Sequence, residues 1–287
     1  MPKEDDPITK AFIGQAMKVH SLISPGLDEE IYHQELVTGL RAAGIQHLSK
    51  PRRDLTYRGI VADTFEADFL VEDHFIPELK CLRGEFAAEH FIQVFSYSKM
   101  WRRRICMLVN FGQQSLRWKR LAYESRSASL PDIPVPDFVT SPSLAASIVR
   151  SVSDCLTEIG LGYRETTWKG LVKAALLSNG LKVTSNPSAE VLRHSGVTMP
   201  SLVVEGECAV LVTALSDGIS ATDRAILQTH LRWLNLGWGV VFHFGKSTAD
   251  LHFVNHPKKP HLPIILHQII DPLHSQSVGL HESVGEN

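Results

Sequence analysis

The feature that most constrains how this chain can fold is that it repeats itself. Each half opens with a helical pattern, reaches a glycine-leucine turn and continues into a second amphipathic helix. In the first half this stretch runs Val19-His-Ser-Leu-Ile-Ser-Pro-Gly26-Leu-Asp-Glu29-Glu-Ile-Tyr32. In the second it runs Val152-Ser-Asp-Cys-Leu-Thr-Glu-Ile-Gly-Leu-Gly162-Tyr-Arg-Glu165-Thr-Thr-Trp168. Glycine, glutamate and an aromatic recur at the same spacing, and both second helices end near a glycine, Gly44 or Gly180, where a C-terminal cap is expected. Strand-like apolar runs follow, 65–71 and 75–82 against 201–204 and 209–212. Each half then closes alike, Cys106-Met-Leu-Val-Asn-Phe-Gly112 matching Gly239-Val-Val-Phe-His-Phe-Gly245, after helical segments bearing Trp101 and Trp233. Self-similarity on this scale is explained by duplication of an α/β unit.

The stretch 124–143, rich in Ser, Pro and Asp and including Pro131-Asp-Ile-Pro-Val-Pro136, lacks helical or strand periodicity. It divides the chain into a first unit, 1–123, a linker, 124–141, a second unit, 142–256, and a Pro- and His-bearing tail, 257–287, that fits no repeat element. With 287 residues and 44% hydrophobic content there is apolar material for two cores of ordinary size. The N-terminus lacks a basic region followed by an apolar stretch, and no apolar run approaches the ~18 residues of a spanning helix, so a cytoplasmic protein without membrane insertion is expected. Cys81, Cys106, Cys155 and Cys208 are scattered with no CxxC pair, which argues against a zinc knuckle or a cysteine-held iron–sulfur cluster. The net charge of −2 excludes coating of nucleic acid by bulk charge but not a local phosphate-binding patch. No Gly-rich phosphate loop, nucleophile elbow or HExxH pattern is present.

Chemistry concentrates in Ala67-Asp68-Phe-Leu-Val-Glu-Asp-His-Phe-Ile-Pro-Glu78-Leu-Lys80, which puts charged groups into an otherwise strand-like hairpin, where burial without purpose is costly. Residues i and i+2 of a strand share a face, so Glu78 and Lys80 aim at one volume. Asp68 joins them only if 72–74 form a three-residue loop that pairs Val71 with Phe75; a two-residue loop turns it to the other face. Two such carboxylates suit Mg²⁺, a hard ion that takes oxygen ligands and keeps waters and substrate phosphate. The ammonium of Lys80 would orient the attacking water or stabilise charge on phosphorus. Glu29, on the helix after Pro25-Gly26, supplies a further acid or a helix-dipole carboxylate. Gln93 and Tyr97, i and i+4 on one helix, aim an amide and a phenol at one substrate. The basic runs Lys99, Arg102, Arg103, Arg104 and Arg117, Lys119, Arg120 are either phosphate contacts or a solvated surface.

Together these residues resemble the GxxExxY family of the PD-(D/E)xK nuclease superfamily, which includes restriction endonucleases and RecB-type exonucleases. Gly26-Leu-Asp-Glu29-Glu-Ile-Tyr32 matches the naming motif. Val19-His20, Ala67-Asp68-Phe-Leu-Val, Glu78-Leu-Lys80, His90, Gln93-x-x-x-Tyr97 and Val109-Asn-Phe-Gly112 follow in the family's order, from about Ile8 to Leu121. The resemblance implies a restriction-endonuclease-like mixed sheet flanked by helices, here duplicated in tandem. It implies Asp68 and Glu78 as ligands of Mg²⁺ or Mn²⁺, Lys80 as the catalytic lysine and Glu29 as an accessory acid, with Gln93 and Tyr97 lining the substrate side; Arg102 and Arg103, from the basic run rather than the resemblance, are the expected phosphate contacts beside them. One departure is Pro77, which removes a backbone donor from a strand expected to be central.

On alignment of the repeats Asp68 becomes Ser201, Glu78 becomes Leu211 and Lys80 becomes Thr213, while Glu165 alone survives. The second unit is therefore expected to be an inactive copy, packed on the first as an intramolecular pseudo-dimer. The expected activity is metal-dependent hydrolysis of DNA phosphodiesters, in repair or defence. The alternative is a non-catalytic nucleic-acid-binding or scaffold protein with a nuclease-derived fold. Both a homo-oligomer and a protein partner are compatible with the sequence.

Overall fold

A computed structural model describes residues 6–124 and 127–256 of the chain; the expected tail, 257–287, lies outside them. The first half runs α1 (Pro7–Ile23), α2 (Glu29–Ala42), β1 (His47–Ser49), β2 (Arg52–Tyr57), β3 (Ile60–Glu66), β4 (Phe69–Val71), β5 (Phe75–Lys80), α3 (Ala88–Trp101), β6 (Ile105–Asn110) and β7 (Arg117–Ala122). The second runs α4 (Pro142–Ile159), α5 (Glu165–Ser178), β8 (Val183–Ser185), β9 (Ser188–Val191), β10 (His194–Thr198), β11 (Leu202–Val204), β12 (Cys208–Ala214), α6 (Ala221–Leu234), β13 (Trp238–Phe244) and β14 (Ala249–Asn255).

Both halves show the same element order and the same sheet. The first sheet is ordered β1-β4-β5-β6-β7 and the second β8-β11-β12-β13-β14, each with one parallel pair at its centre and antiparallel neighbours. The result is a mixed α/β architecture of two helix-flanked mixed sheets, consistent with a restriction-endonuclease-like fold. The parallel pair is joined in each half by a crossover helix, α3 or α6, as parallel strands require.

Local sequence explains the elements. Helix α1 begins at Pro7, whose missing donor costs nothing at a first-turn position, and Asp6 caps it by accepting from the Ile8 amide at 3.1 Å. Its buried Phe12, Ala16 and Val19 recur at helical spacing and face the sheet. Strand β5 is buried on both faces because both are covered. Phe75 and Leu79 pack with Phe12, Tyr32 and Leu36 of α1 and α2, whereas Ile76 packs with Tyr97 and Trp101 of α3. Even-numbered residues of β5, Glu78 and Lys80 among them, therefore share the α3 face.

The run read as one strand over 65–71 breaks at Ala67 and Asp68. Its first part pairs with β2 in a separate two-stranded hairpin, β2–β3, and its last part enters the main sheet. That hairpin reaches across to the second half and clasps α5. A Cβ on Gly170 of α5 would lie 2.0 Å from the Ala62 carbonyl oxygen, so only glycine permits this approach. Asp63 accepts from the Thr167 hydroxyl, and Arg58 donates to Asn179 at 3.1 Å. One apolar cluster runs through Leu55, Tyr57 and Phe65 of the hairpin into Val152, Trp168 and Leu171. The equivalent hairpin of the second half, β9–β10, packs beside α6, and its Leu192 is 74% exposed. The clasp is thus one-way: at the position of Gly170, α2 carries Gln34.

Candidate functional site

The site forms where β5 ends. Glu78 and Lys80 project together, with Lys80 Nζ donating to Glu78 Oε1 at 2.8 Å, and both side chains are largely buried. The loop does have three residues, with Val71 paired to Phe75, but that is the only β4–β5 pair. Pro77 accounts for its brevity. The Leu79 amide points toward the β4 side, so the missing donor two residues earlier faces β4 as well, and the parallel ladder to β6 is untouched. The pairing lost to Pro77 is thus confined to the β4 side of the strand. Asp68, just outside β4, accepts from the Leu79 amide through Oδ2 at 2.7 Å, so its own side chain, and not a strand ladder, fastens it beside Glu78.

Glu29 is the first residue of α2 and reaches the same end of β5, where it accepts from the Cys81 amide. Gly26, at φ +119°, makes the turn before it, and Tyr32 closes that turn by donating to the Ser24 carbonyl at 2.6 Å and accepting from the Leu27 amide at 3.2 Å. Glycine and tyrosine of the Gly26–Tyr32 stretch are thus structural, and the glutamate alone points to the site. From α3, Gln93 donates to the Tyr97 hydroxyl at 2.9 Å, and that phenol feels the charges of Glu78 and Asp68.

Asn110 is a residue whose task the sequence did not reveal. It is buried, accepts from the amides of Leu82 and Gly112, and donates to the Leu82 carbonyl at 3.0 Å. This holds the segment that leaves Lys80. A Cβ on Gly112 would lie 2.6 Å from that segment's backbone, which explains the close of the Val109-Asn-Phe-Gly112 run. The signal was present as a polar residue ending an otherwise apolar strand.

Arg102 and Arg103 do not join the site, contrary to the expectation that they contact substrate beside Gln93 and Tyr97. Helix α3 runs antiparallel to β5 in the crossover, which carries its C-terminal end to the 72–74 loop, a strand length of about 17 Å from Lys80. Arg103 pairs there with Asp73, and Arg102 is the left-handed cap of the helix at φ 55°. Other basic residues have structural partners: Arg104 meets Glu124, Arg120 meets Asp6, and Lys99 is directed into the second half.

Electrostatically the site is a cluster of carboxylates under strain of burial. Burial, reinforced by the charge of Asp68, pushes Glu78 up to about 8. Burial also raises Glu29. Burial disfavours the Lys80 ammonium, but the charge and hydrogen bond of Glu78 outweigh it, and its pKa rises. Glu78 Oε2 is buried without a hydrogen-bond partner, an arrangement that costs about 1–3 kcal/mol unless another group supplies compensation. No three His, Cys, Asp or Glu side chains among the described residues form a closed metal cage. Asp68 and Glu78 nonetheless fit Mg²⁺ or Mn²⁺, because a hard ion needs only one or two carboxylates beside water and phosphate.

One consequence concerns pH. Glu78 rises from 4.5 unfolded to about 8 folded, so the metal-free folded state binds the extra proton. Its contribution to stability is complete below pH 4.5 and is lost as pH rises through about 8. In a chelator, the melting temperature is expected to fall by about 5 °C more between pH 6 and 8.5 for the native chain than for Glu78→Gln. Equal slopes for the two proteins would show that Glu78 is not the titrating group.

The second half holds the same frame with other side chains. Ser201, Leu211 and Thr213 occupy the register positions of Asp68, Glu78 and Lys80. Ser201 hydrogen-bonds His230 at 2.6 Å and Thr213 hydrogen-bonds His243 at 3.0 Å, all four buried. Trp168 stacks on Phe244 as Tyr32 stacks on Phe111.

The carboxylates and lysine converge on a helix-flanked mixed sheet, and comparison with protein families agrees. Residues 6–121 match the PD-(D/E)XK nuclease superfamily. No curated protein matches the chain. The PD-(D/E)XK match covers the half that carries Glu29, Asp68, Glu78 and Lys80 and stops at β7. No helix among the described residues is long and apolar enough to cross a membrane.

Proposed function

We propose that the chain is a Mg²⁺- or Mn²⁺-dependent nuclease that hydrolyses DNA phosphodiesters at one site, in its first half. The observation that carries this reading is the convergence of Asp68, Glu78 and Lys80 at the end of β5, with Glu78 Oε2 buried and unpartnered. Asp68 and Glu78 would hold the metal, which when bound lowers the pKa of a water and polarises the phosphoryl oxygen. Lys80, kept charged beside Glu78, orients the attacking water and stabilises charge developing on the phosphate. Glu29 serves as an accessory acid at the same end of β5, its pKa raised by burial. The Gln93–Tyr97 pair presents an amide and a phenol to the substrate. The Gly26–Tyr32 motif supports assignment of this half to the GxxExxY family.

We read residues 142–256 as a degenerate copy of 1–123, joined by 124–141. Shared element order and register support descent from one unit, and Leu211 at the position of a metal ligand cannot support the chemistry. Unless it dimerises, a chain with one site is expected to nick duplex DNA or to trim single strands. Labelled single-stranded, double-stranded and supercoiled DNA incubated with Mg²⁺ or Mn²⁺ test this: nicked circles should accumulate before linear product. Loss of the carboxylates from the second half favours one other reading, a scaffold that binds nucleic acid without cutting. Binding without cleavage under either metal would move that reading ahead.

A further inference from the structure

We propose that Arg164, a residue of the second half, contacts substrate at the first-half site, where its guanidinium takes a backbone phosphate of the bound nucleic acid strand. This rests on the nuclease reading above and assigns the second half a share in substrate binding.

The turn that bears Arg164 is seated on α3, the helix that presents Gln93 and Tyr97. Lys99 Nζ donates to the carbonyls of Gly160 and Leu161, each at 2.6 Å, and the Tyr163 ring lies 4.2 Å beneath the same ammonium. Tyr163 packs on Phe65 with ring centroids 5.7 Å apart, and Phe65 meets Tyr97 edge-on at 6.0 Å. A continuous aromatic contact therefore leads from the neighbour of Arg164 to the phenol at the site. That phenol feels the charge of Arg164 together with those of Glu78 and Asp68.

Arg164 is also out of place by local rules. It occupies the N-cap of α5, where a cation opposes the helix dipole, and its side chain makes no capping bond. Its contact with Asp63 is long, at 3.7 Å, and Asp63 is already supplied by the Thr167 hydroxyl and the Thr64 amide. The Arg164 side chain is 55% exposed. Loosely steered by one carboxylate, its planar fork keeps donors for a phosphate, the geometry it recognises best.

The test is affinity for a fluorescein-labelled DNA oligonucleotide, read by anisotropy in Mg²⁺ in a Lys80→Ala background that leaves the strand whole. Arg164→Gln should weaken binding about 5- to 10-fold and lower the salt slope of log K by about one. Asp63→Asn, which releases Arg164, should tighten binding about two-fold. If Arg164 only bridged the halves, both substitutions would weaken binding together, and that result overturns the proposal. So does an unchanged affinity and slope for Arg164→Gln with background binding intact, and in that case the nuclease reading stands. No binding by the background protein removes both.

Discussion

Lys80→Ala and Glu78→Gln should each reduce metal-dependent cleavage by about 10³-fold, the scale on which removal of a transition-state stabiliser acts. They should do so by different routes, and metal binding separates them. Glu78→Gln keeps the volume and a hydrogen bond to its neighbour but removes the charge whose second oxygen stands unpartnered. It should lose metal affinity as well as rate. Lys80→Ala leaves both carboxylates, and by removing the ammonium 2.8 Å from Glu78 it leaves a more anionic pocket. It should bind Mn²⁺ at least as tightly as the native protein and still fail to cut. Cleavage by Lys80→Ala within ten-fold of native would sink the assigned role of the lysine.

The second large effect is one of sign. Glycine to alanine inside a helix ordinarily stabilises by about 0.5–1 kcal/mol. At Gly39 of α2 the nearest atom to an added methyl is Gln15 Oε1 at 3.6 Å, an ordinary contact, so Gly39→Ala should follow the rule. Gly170→Ala should reverse it, with a loss of about 2–3 kcal/mol, because its methyl meets the Ala62 carbonyl 2.0 Å away and backbone must move. Urea unfolding of the two variants measures the contrast. Stabilisation of both would mean that the hairpin does not clasp α5.

Much of the site was legible because its determinants are local. Two-residue periodicity brought Glu78 and Lys80 together, whereas the sequence left a two- and a three-residue loop open between Val71 and Phe75 and the structure has the three-residue one. Asp68 arrived for a different reason than register: Pro77 shortens the β4–β5 ladder, which leaves the Leu79 amide for its side chain. The two hairpins, β2–β3 and β9–β10, were missed because their strands are largely polar and exposed and so carry no apolar run, and because a bend at Ala67-Asp68 divides the 65–71 run between two sheets. Misplacement of Arg102 and Arg103 has a similar origin. Helical spacing says which residues share a face, but the direction of the crossover decides which end of the helix lies near Lys80. Arg164 carried no signal at all, since its neighbours lie in the other half of the chain.

The one-way clasp bears on the order of events during synthesis. Asp63 and Thr167 are 104 residues apart, so at about 5–20 residues per second the finished hairpin waits on the order of ten seconds for the helix it grips. Throughout that interval Leu55, Tyr57 and Phe65 have no cover from the second half, a sticky edge of the kind that chaperones hold. The nascent first half would thus stay dependent on a later part of its own message, and the catalytic half of the chain would mature last in function though it is translated first.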